Sequence, residues 1–133
     1  MTYPISISII KNSKKIEMEI QGNKSIGALQ EEFNGYFPFL RIEFYRQRNG
    51  DEKNNIEKLN ASQKLQLING SSEKFVINIG KDERVISLKD QFNKFGISVL
   101  IFRKAGRVWV ETSLTEDWTL DRQNTEGELF SRK

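Results

Sequence analysis

The residues best suited to chemistry surround one glycine in the last third of the chain. Arg103, Lys104 and Arg107 lie around Gly106, and Trp109 follows closely. A hairpin turn at Gly106 would present three cations beside an indole ring, and such a surface can hold a phosphate and stack on a base. The same residues also fit a solvated turn in which Trp109 alternates with its valine neighbours and points into the core. The sequence favours the solvated turn, and the basic hairpin stays a candidate nucleic-acid site.

Residue types that are absent exclude several classes of enzyme. The chain of 133 residues contains no Cys and no His. It therefore has no disulfides, no thiol catalysis and no cysteine-ligated zinc. Without His it also lacks the usual general base near neutral pH and the commonest transition-metal ligand. Catalysis would have to use carboxylates, Lys, Tyr or hydroxyl groups.

The carboxylates that could do this are concentrated near the C-terminus, where Glu111, Glu116, Asp117 and Asp121 form the only acidic cluster. Their spacing matches neither the two opposed carboxylates of a glycosidase nor a calcium or magnesium loop. A simpler interpretation is that Thr115 caps a helical turn, with Glu116 and Asp117 in its first turn where the helix dipole favours negative charge. We expect no catalytic residue, no metal site and no cofactor.

Trp118 and Leu120 are apolar residues in an otherwise polar tail. They either dock the tail onto the domain, which we favour, or bind a partner, so Trp118 joins the candidate binding residues. The surrounding segment, FRKAGRVWVETSLTEDWTLDRQN (102–124), resembles one found in small bacterial proteins of uncharacterised function. That resemblance implies no activity. Residues 125–133 are predicted to be frayed.

Stretches 15–46 and 74–103 repeat one another and provide the scaffold for these candidates. Ile16, Met18 and Ile20 correspond to Phe75, Ile77 and Ile79, while Leu29, Phe33 and Phe44 correspond to Leu88, Phe92 and Phe102. The matched positions are almost all apolar, so the copies share a scaffold rather than a site. The segment after Gly106 has no obvious counterpart in the first half.

The hydrophobic periodicity predicts strand, strand, helix and strand in each copy. The first copy comprises strands 5–10 and 16–20, a helix that Ser25 caps and Pro38 stops, and strand 39–45. The second comprises strands 65–68 and 75–79, a helix that Gly96 ends, and strand 97–102; a further strand covers 107–112. A right-handed crossover through each helix would make the returning strand parallel to the strand before it.

The opening stretch ISISIIKNSKKIEMEIQGNKSIGAL (5–29) resembles the start of ubiquitin-like β-grasp domains over about 40 residues. The resemblance implies a β-grasp-like element and no conjugation, because the C-terminus carries no di-glycine tail. Arg41, Arg46 and Arg48 end the first copy. They would form a basic groove if the repeat symmetry brought Arg46 near Arg103, and otherwise they are ordinary edge-strand charges.

We therefore predict an α+β protein made of two tandem strand-strand-helix-strand repeats, with mixed sheets and two helices packed on one face. The first repeat covers residues 1–48, a polar linker with a short helical turn at 56–61 covers 49–62, the second repeat with its extra strand covers 63–113, and a partly disordered extension covers 114–133. Together these segments form one compact domain.

The predicted function is a non-enzymatic binding or interaction module in the cytoplasm. A protein partner or self-association through a strand edge is the first expectation, and we expect no membrane partner because no apolar run is long enough to span a bilayer. Nucleic-acid binding through Arg103, Lys104, Arg107 and Trp109 is the alternative. A carboxylate-based enzyme is the least favoured.

Overall fold

A computed structural model of the chain describes residues 17–47, 56–65 and 76–131. This part of the chain has the predicted α+β class. Its elements in chain order are β1 (Glu17–Gln21), α1 (Ile26–Tyr36), β2 (Leu40–Gln47), β3 (Ile56–Lys58), β4 (Val76–Gly80), α2 (Val85–Asn93), β5 (Ile97–Ala105), β6 (Val108–Glu111), a 3₁₀ turn (Ser113–Thr115) and α3 (Leu120–Ser131).

Helix α1 begins where the sequence predicts it. The Ser25 hydroxyl accepts a hydrogen bond from the backbone N–H of Ala28 at 3.2 Å, which satisfies one of the free donors at the helix start. Ile26, Leu29 and Phe33 form the buried side of the helix. Both the Ser25 cap and the apolar stripe are thus confirmed.

Helix α2 repeats this arrangement in the second half of the chain. Val85, Leu88 and Phe92 are its buried residues. Gly96 follows with a φ of 75°, a left-handed conformation that glycine adopts without steric cost. The chain reverses there and enters β5, so the predicted stop at Gly96 is confirmed.

Equivalent strands of the two repeats pair with each other. In the first sheet β1 runs antiparallel to β4, with Met18 opposite Ile79 and Ile20 opposite Ile77. In the second sheet β2 runs antiparallel to β5, and the strand order is β3-β2-β5-β6. The order strand-helix-strand of β1-α1-β2 thus recurs in β4-α2-β5, and corresponding strands are paired.

The expected parallel pairing across each helix is not found. β1 and β2 lie in different sheets, as do β4 and β5, and every pairing between the described strands is antiparallel. Each helix crosses from one sheet to the other, and the strand that follows it pairs with its equivalent from the other repeat. The repeat pattern in the sequence predicts the strands and helices, but it does not predict which strands pair.

The duplication extends further than the sequence indicates. A bridge joins Ser25 to Lys64, and the equivalent bridge joins Arg84 to Thr119. Residues 56–58, predicted to begin a helical turn in the linker, form β3 on the outer side of β2, and β6 has the same position beside β5. The segment after Gly106, for which the sequence shows no obvious counterpart, thus contributes a strand placed like β3.

The C-terminal segment is a docked helix and not a frayed tail. Helix α3 extends to Ser131, and Leu120 at its start is fully buried in the core, which confirms the expected docking. The predicted Thr115 cap is wrong, since Thr115 ends the 3₁₀ turn and the Thr119 hydroxyl accepts the N–H of Arg122 at 3.1 Å instead. The three residues between Thr115 and Thr119 thus turn the chain into α3.

One hydrophobic cluster joins both sheets and all three helices. Phe44 from β2 and Phe92 from α2 meet edge to face in it, with ring centroids 5.5 Å apart, a favourable geometry for aromatic rings. The predicted strand 5–10, its turn and residues 66–68 of strand 65–68 lie outside the described residues.

The close approach of α3 to the sheet depends on Gly127. A Cβ at this position would lie 2.9 Å from the Phe39 Cβ and 3.1 Å from both the Phe39 carbonyl oxygen and the Arg103 Cγ. We expect Gly127→Ala to lower the free energy of unfolding by roughly 1–2 kcal/mol, because the overpacking cost exceeds the gain in helix propensity. Urea denaturation followed by circular dichroism would measure this change.

Gly35 on α1 is the matched control. Apart from its chain neighbours and the adjacent backbone of α1, no described atom lies within 4 Å of a Cβ at this position, so Gly35→Ala is expected to stabilise the fold by about 0.5–1 kcal/mol. Equal effects of the two substitutions would contradict the packing of α3 against Phe39.

Candidate binding surface on the four-stranded sheet

The four-stranded sheet has two chemically different faces. Alternate residues of its central strands, such as Ile42 and Ile101, are fully buried in the core. The residues between them point to the opposite side, as the period of two requires. We call this opposite side the outer face; its members are Arg41, Glu43, Tyr45, Leu100, Phe102, Lys104, Trp109 and Glu111.

Trp109 is the centre of an aromatic and cationic group on this face. It lies directly across from Lys104 in the β5–β6 ladder, with the Lys104 Nζ 5.9 Å from the ring centroid. The Arg41 guanidinium carbon lies 6.0 Å from the same ring, and Arg41 is itself opposite Phe102. Both distances fall within the range of cation–π attraction.

Glu43 forms a second group beside it, and its side chain is only 8% exposed. Arg41 Nη2 donates to Glu43 Oε2 at 3.0 Å, and Lys58 Nζ lies 3.2 Å from the same oxygen. The Tyr45 hydroxyl donates to Glu43 Oε1 at 3.1 Å. Both carboxylate oxygens are therefore engaged, which a buried charge requires.

An open cavity of about 360 Å³ lies against this group. Its walls supply both charges and amides, and its lining residues are Gln30, Arg41, Glu43, Lys58, Leu59, Asn60 and Ala61. The cavity suits a small polar group, and it continues the outer face toward the loop after β3.

The edge of β2 beside this cavity is closed by side chains of α1. Gln30 Nε2 donates to the Ile42 carbonyl at 2.9 Å, and Asn34 Nδ2 donates to the Leu40 carbonyl at 2.9 Å. These amides are one helical turn apart, so they reach alternate carbonyls of the strand. Another strand cannot pair with β2 there without displacing them.

The five residues singled out in the sequence lie in three different places. Lys104 and Trp109 lie on the outer face. Arg103 points to the helix side, where its Nη1 donates to Gln123 Oε1 at 2.8 Å and its guanidinium lies 5.4 Å from the Trp118 ring. Arg107 is exposed in the turn beside Gly106, whose φ is 68°.

Arg103 and Trp118 together fasten α3 to the sheet. The Trp118 ring also lies 3.8 Å from the Arg122 guanidinium carbon. Gln123, which is fully buried, uses its amide to donate to the Thr115 carbonyl at 2.9 Å and the Thr115 hydroxyl at 2.8 Å. These contacts tie β5, the 3₁₀ turn and α3 to one another.

The basic groove considered for Arg46 and Arg103 does not form. In the β2–β5 ladder Arg46 is opposite Ile97 and Arg103 is opposite Leu40, so the two arginines lie at opposite ends. Arg46 instead pairs with Glu57 at 2.6 Å. Arg48 lies outside the described residues.

The acidic residues near the C-terminus are distributed over separate places. Glu116 pairs with Lys89 of α2, and Glu111 accepts a hydrogen bond from Ser113 while its Oε2 is buried without a partner among the described residues. Within ranges 17–47, 56–65 and 76–131 no three acidic side chains are grouped as metal ligands would be.

Sequence reasoning missed Glu43 and Tyr45. The signal was present in the run LRIEFY (40–45), where apolar and polar residues alternate and the polar set must share one face. What the sequence could not supply was Lys58, which reaches Glu43 only because β3 pairs with β2.

Comparisons of the chain with models of protein families, with curated proteins and with solved structures find no match. Among the helices of the described part, none has the length and apolar character needed to cross a bilayer.

The Glu43 group generates a prediction about titration. Burial raises the pKa of the Tyr45 hydroxyl, and the hydrogen bond to Glu43 raises it further. Glu43→Gln should lower the pKa of Tyr45 toward its ordinary value, because the negative charge that opposes ionisation is gone. NMR of ¹³C-labelled tyrosine rings as a function of pH would measure the change, with Tyr36 as the internal reference.

The same shift affects stability in a defined pH range. Tyrosine in the unfolded chain ionises first, near pH 10, so the free energy of unfolding falls as the pH rises from there through the pKa of folded Tyr45. The fall should be smaller in Glu43→Gln. Identical Tyr45 titration in both proteins would contradict the assigned hydrogen bond.

Proposed function

We propose that this chain is a non-enzymatic interaction module that binds an extended, acidic segment of a protein partner on the outer face of its four-stranded sheet. The observation that carries the proposal is the half-buried Trp109 with Lys104 and Arg41 beside its ring. The proposal includes a cytoplasmic location.

The residue types of the outer face support this proposal. Trp, Tyr and Arg are the side chains most often found at the energetic centre of protein interfaces. Here Tyr45 and Arg41 lie on β2 and Trp109 lies on β6 of the same sheet, and Leu100 and Phe102 of β5 lie between them. A strand-like segment of a partner lying across these strands would cover the aromatic rings. The backbone of that segment would stay within reach of the polar side chains of the outer face.

The charges favour an acidic partner. Arg41 and Lys58 already share Glu43. Lys104 forms no ion pair with any described residue, so it is available to a carboxylate of a bound segment. The engaged Glu43 also supports a binding role over acid–base chemistry, because donors already occupy both of its oxygens.

Peptide selection tests this function directly. A library of short random peptides selected on the immobilised chain should yield sequences that combine Asp or Glu with apolar residues. Trp109→Ala should weaken their binding more than about tenfold, since truncating a central aromatic anchor costs roughly 2 kcal/mol. Lys104→Glu should weaken it as well, through charge repulsion.

Lys94→Glu is the control, because this exposed residue follows α2 and lies outside the outer face. Circular dichroism would verify that each variant is folded. Selected peptides that bind all three variants as tightly as the parent chain would disprove the outer face as the binding surface.

Single-stranded nucleic acid is a second candidate for the same face. Trp109 favours it, because an indole on an open sheet next to cations is a platform on which a base can stack. Glu111 and Glu43 on the same face oppose it more than they oppose a peptide, because a nucleic-acid strand carries a negative charge at every nucleotide, whereas a peptide can place apolar residues beside these carboxylates. We therefore rank it below the protein partner.

Fluorescence anisotropy with a labelled oligothymidylate distinguishes the two. If nucleic acid is the ligand, affinity falls steeply as the salt concentration rises. Lys104→Ala then reduces the slope of log affinity against log salt concentration by about one. Trp109→Ala should then cost about 1–3 kcal/mol of binding free energy. Absence of salt-dependent binding, with peptide binding intact, would leave the protein partner alone.

A further inference from the structure

The outer edge of β6 has the features of a surface for self-association. Among the described strands β6 pairs only with β5. Val108 and Val110 are 58% and 40% exposed on it. Within the described part of the chain, two valines and a set of backbone groups of β6 are thus left uncovered, while its other side is paired with β5.

The hydrogen bonds fix which backbone groups of β6 face outward. The Thr112 N–H donates to the Ile101 carbonyl, so odd-numbered residues of β5 direct their backbone groups toward β6. Arg103 is opposite Val110, and Val110 therefore points its N–H and carbonyl at β5. By the alternation of an antiparallel ladder, the backbone groups of Trp109 and Glu111 point to the open edge.

The sequence of this strand is self-complementary. In an antiparallel pair of two β6 strands with Trp109 opposite its own copy, Val108 lies opposite Val110 of the second chain. Arg107 then lies opposite Glu111, so apolar residues meet apolar residues and opposite charges meet on both sides of the axis. This register also makes the Trp109 pair a hydrogen-bonded one, because its backbone groups face outward.

The open edge of β6 differs from the edge of β2 in how it is protected against pairing with another strand. Natural proteins protect free edges with lysines, prolines, bulges or covering side chains, and Gln30 and Asn34 cover β2 in this way. The four residues of β6, VWVE, include neither lysine nor proline. A twofold dimer buries the same patch on both copies, so a self-complementary strand suits it.

We propose that two copies of this chain associate through antiparallel pairing of β6, with Trp109 at the twofold axis, to form one continuous eight-stranded sheet. This proposal is independent of the proposed ligand of the outer face. The dimer would join the two outer faces side by side, so their Trp109 rings become neighbours.

Charge exchange tests the register. Arg107→Glu and Glu111→Arg each place like charges opposite one another, and each should raise the dimer dissociation constant about tenfold or more, measured by sedimentation equilibrium. The double variant Arg107→Glu with Glu111→Arg should restore dimerisation. A mixture of the two single variants should form a heterodimer, because their charges are complementary.

Asp90→Arg, an exposed change on α2, controls for net charge and should leave the dimer intact. Unfolding in urea verifies that each variant is folded. A chain that stays monomeric at every accessible concentration would overturn the proposal. So would a dimer that neither single variant weakens, since its interface would then lie elsewhere. Peptide binding on the outer face is measured separately, so failure of one proposal leaves the other intact.

Discussion

The fold depends on pairing between strands of the first repeat and the corresponding strands of the second. The backbone groups along one edge of β1 are hydrogen-bonded to β4, and those along one edge of β2 are hydrogen-bonded to β5. Because backbone N–H and carbonyl groups must be paired when they are buried, neither repeat can complete its sheet alone. The two helices then close the same core from equivalent positions, with Phe33 and Phe92 both fully buried.

Equivalent residues of the two halves form the core, whereas the surfaces are formed by residues that differ between the halves. At the bridge after each three-stranded unit the chain turns into a segment that begins with a buried leucine, Leu65 or Leu120. Two residues before Leu120, the Trp118 ring packs against Arg103 and Arg122. Likewise β6 carries a tryptophan and two valines, whereas its counterpart β3 carries the charged pair Glu57 and Lys58.

The sequence predicts the local elements well because their causes are local. Ser25 and Gly96 mark helix ends through a hydroxyl cap and a positive φ, and periodicity identifies the buried faces. The sequence does not predict which strands pair, because any two apolar strands satisfy the same pattern. For the same reason four of the five candidate residues could be located on a hairpin but not assigned to its two sides, and Lys58 could not be connected to Glu43.

The pairing of β1 with β4 has a consequence for synthesis. Glu17 pairs with Gly80, so β1 leaves the ribosome about 60 residues before the strand with which it pairs in the described structure. Contacts of such large sequence separation are entropically costly and form late in folding. A chain interrupted between the repeats would therefore present unpaired strands to the cell, and chaperone protection would matter most in that interval.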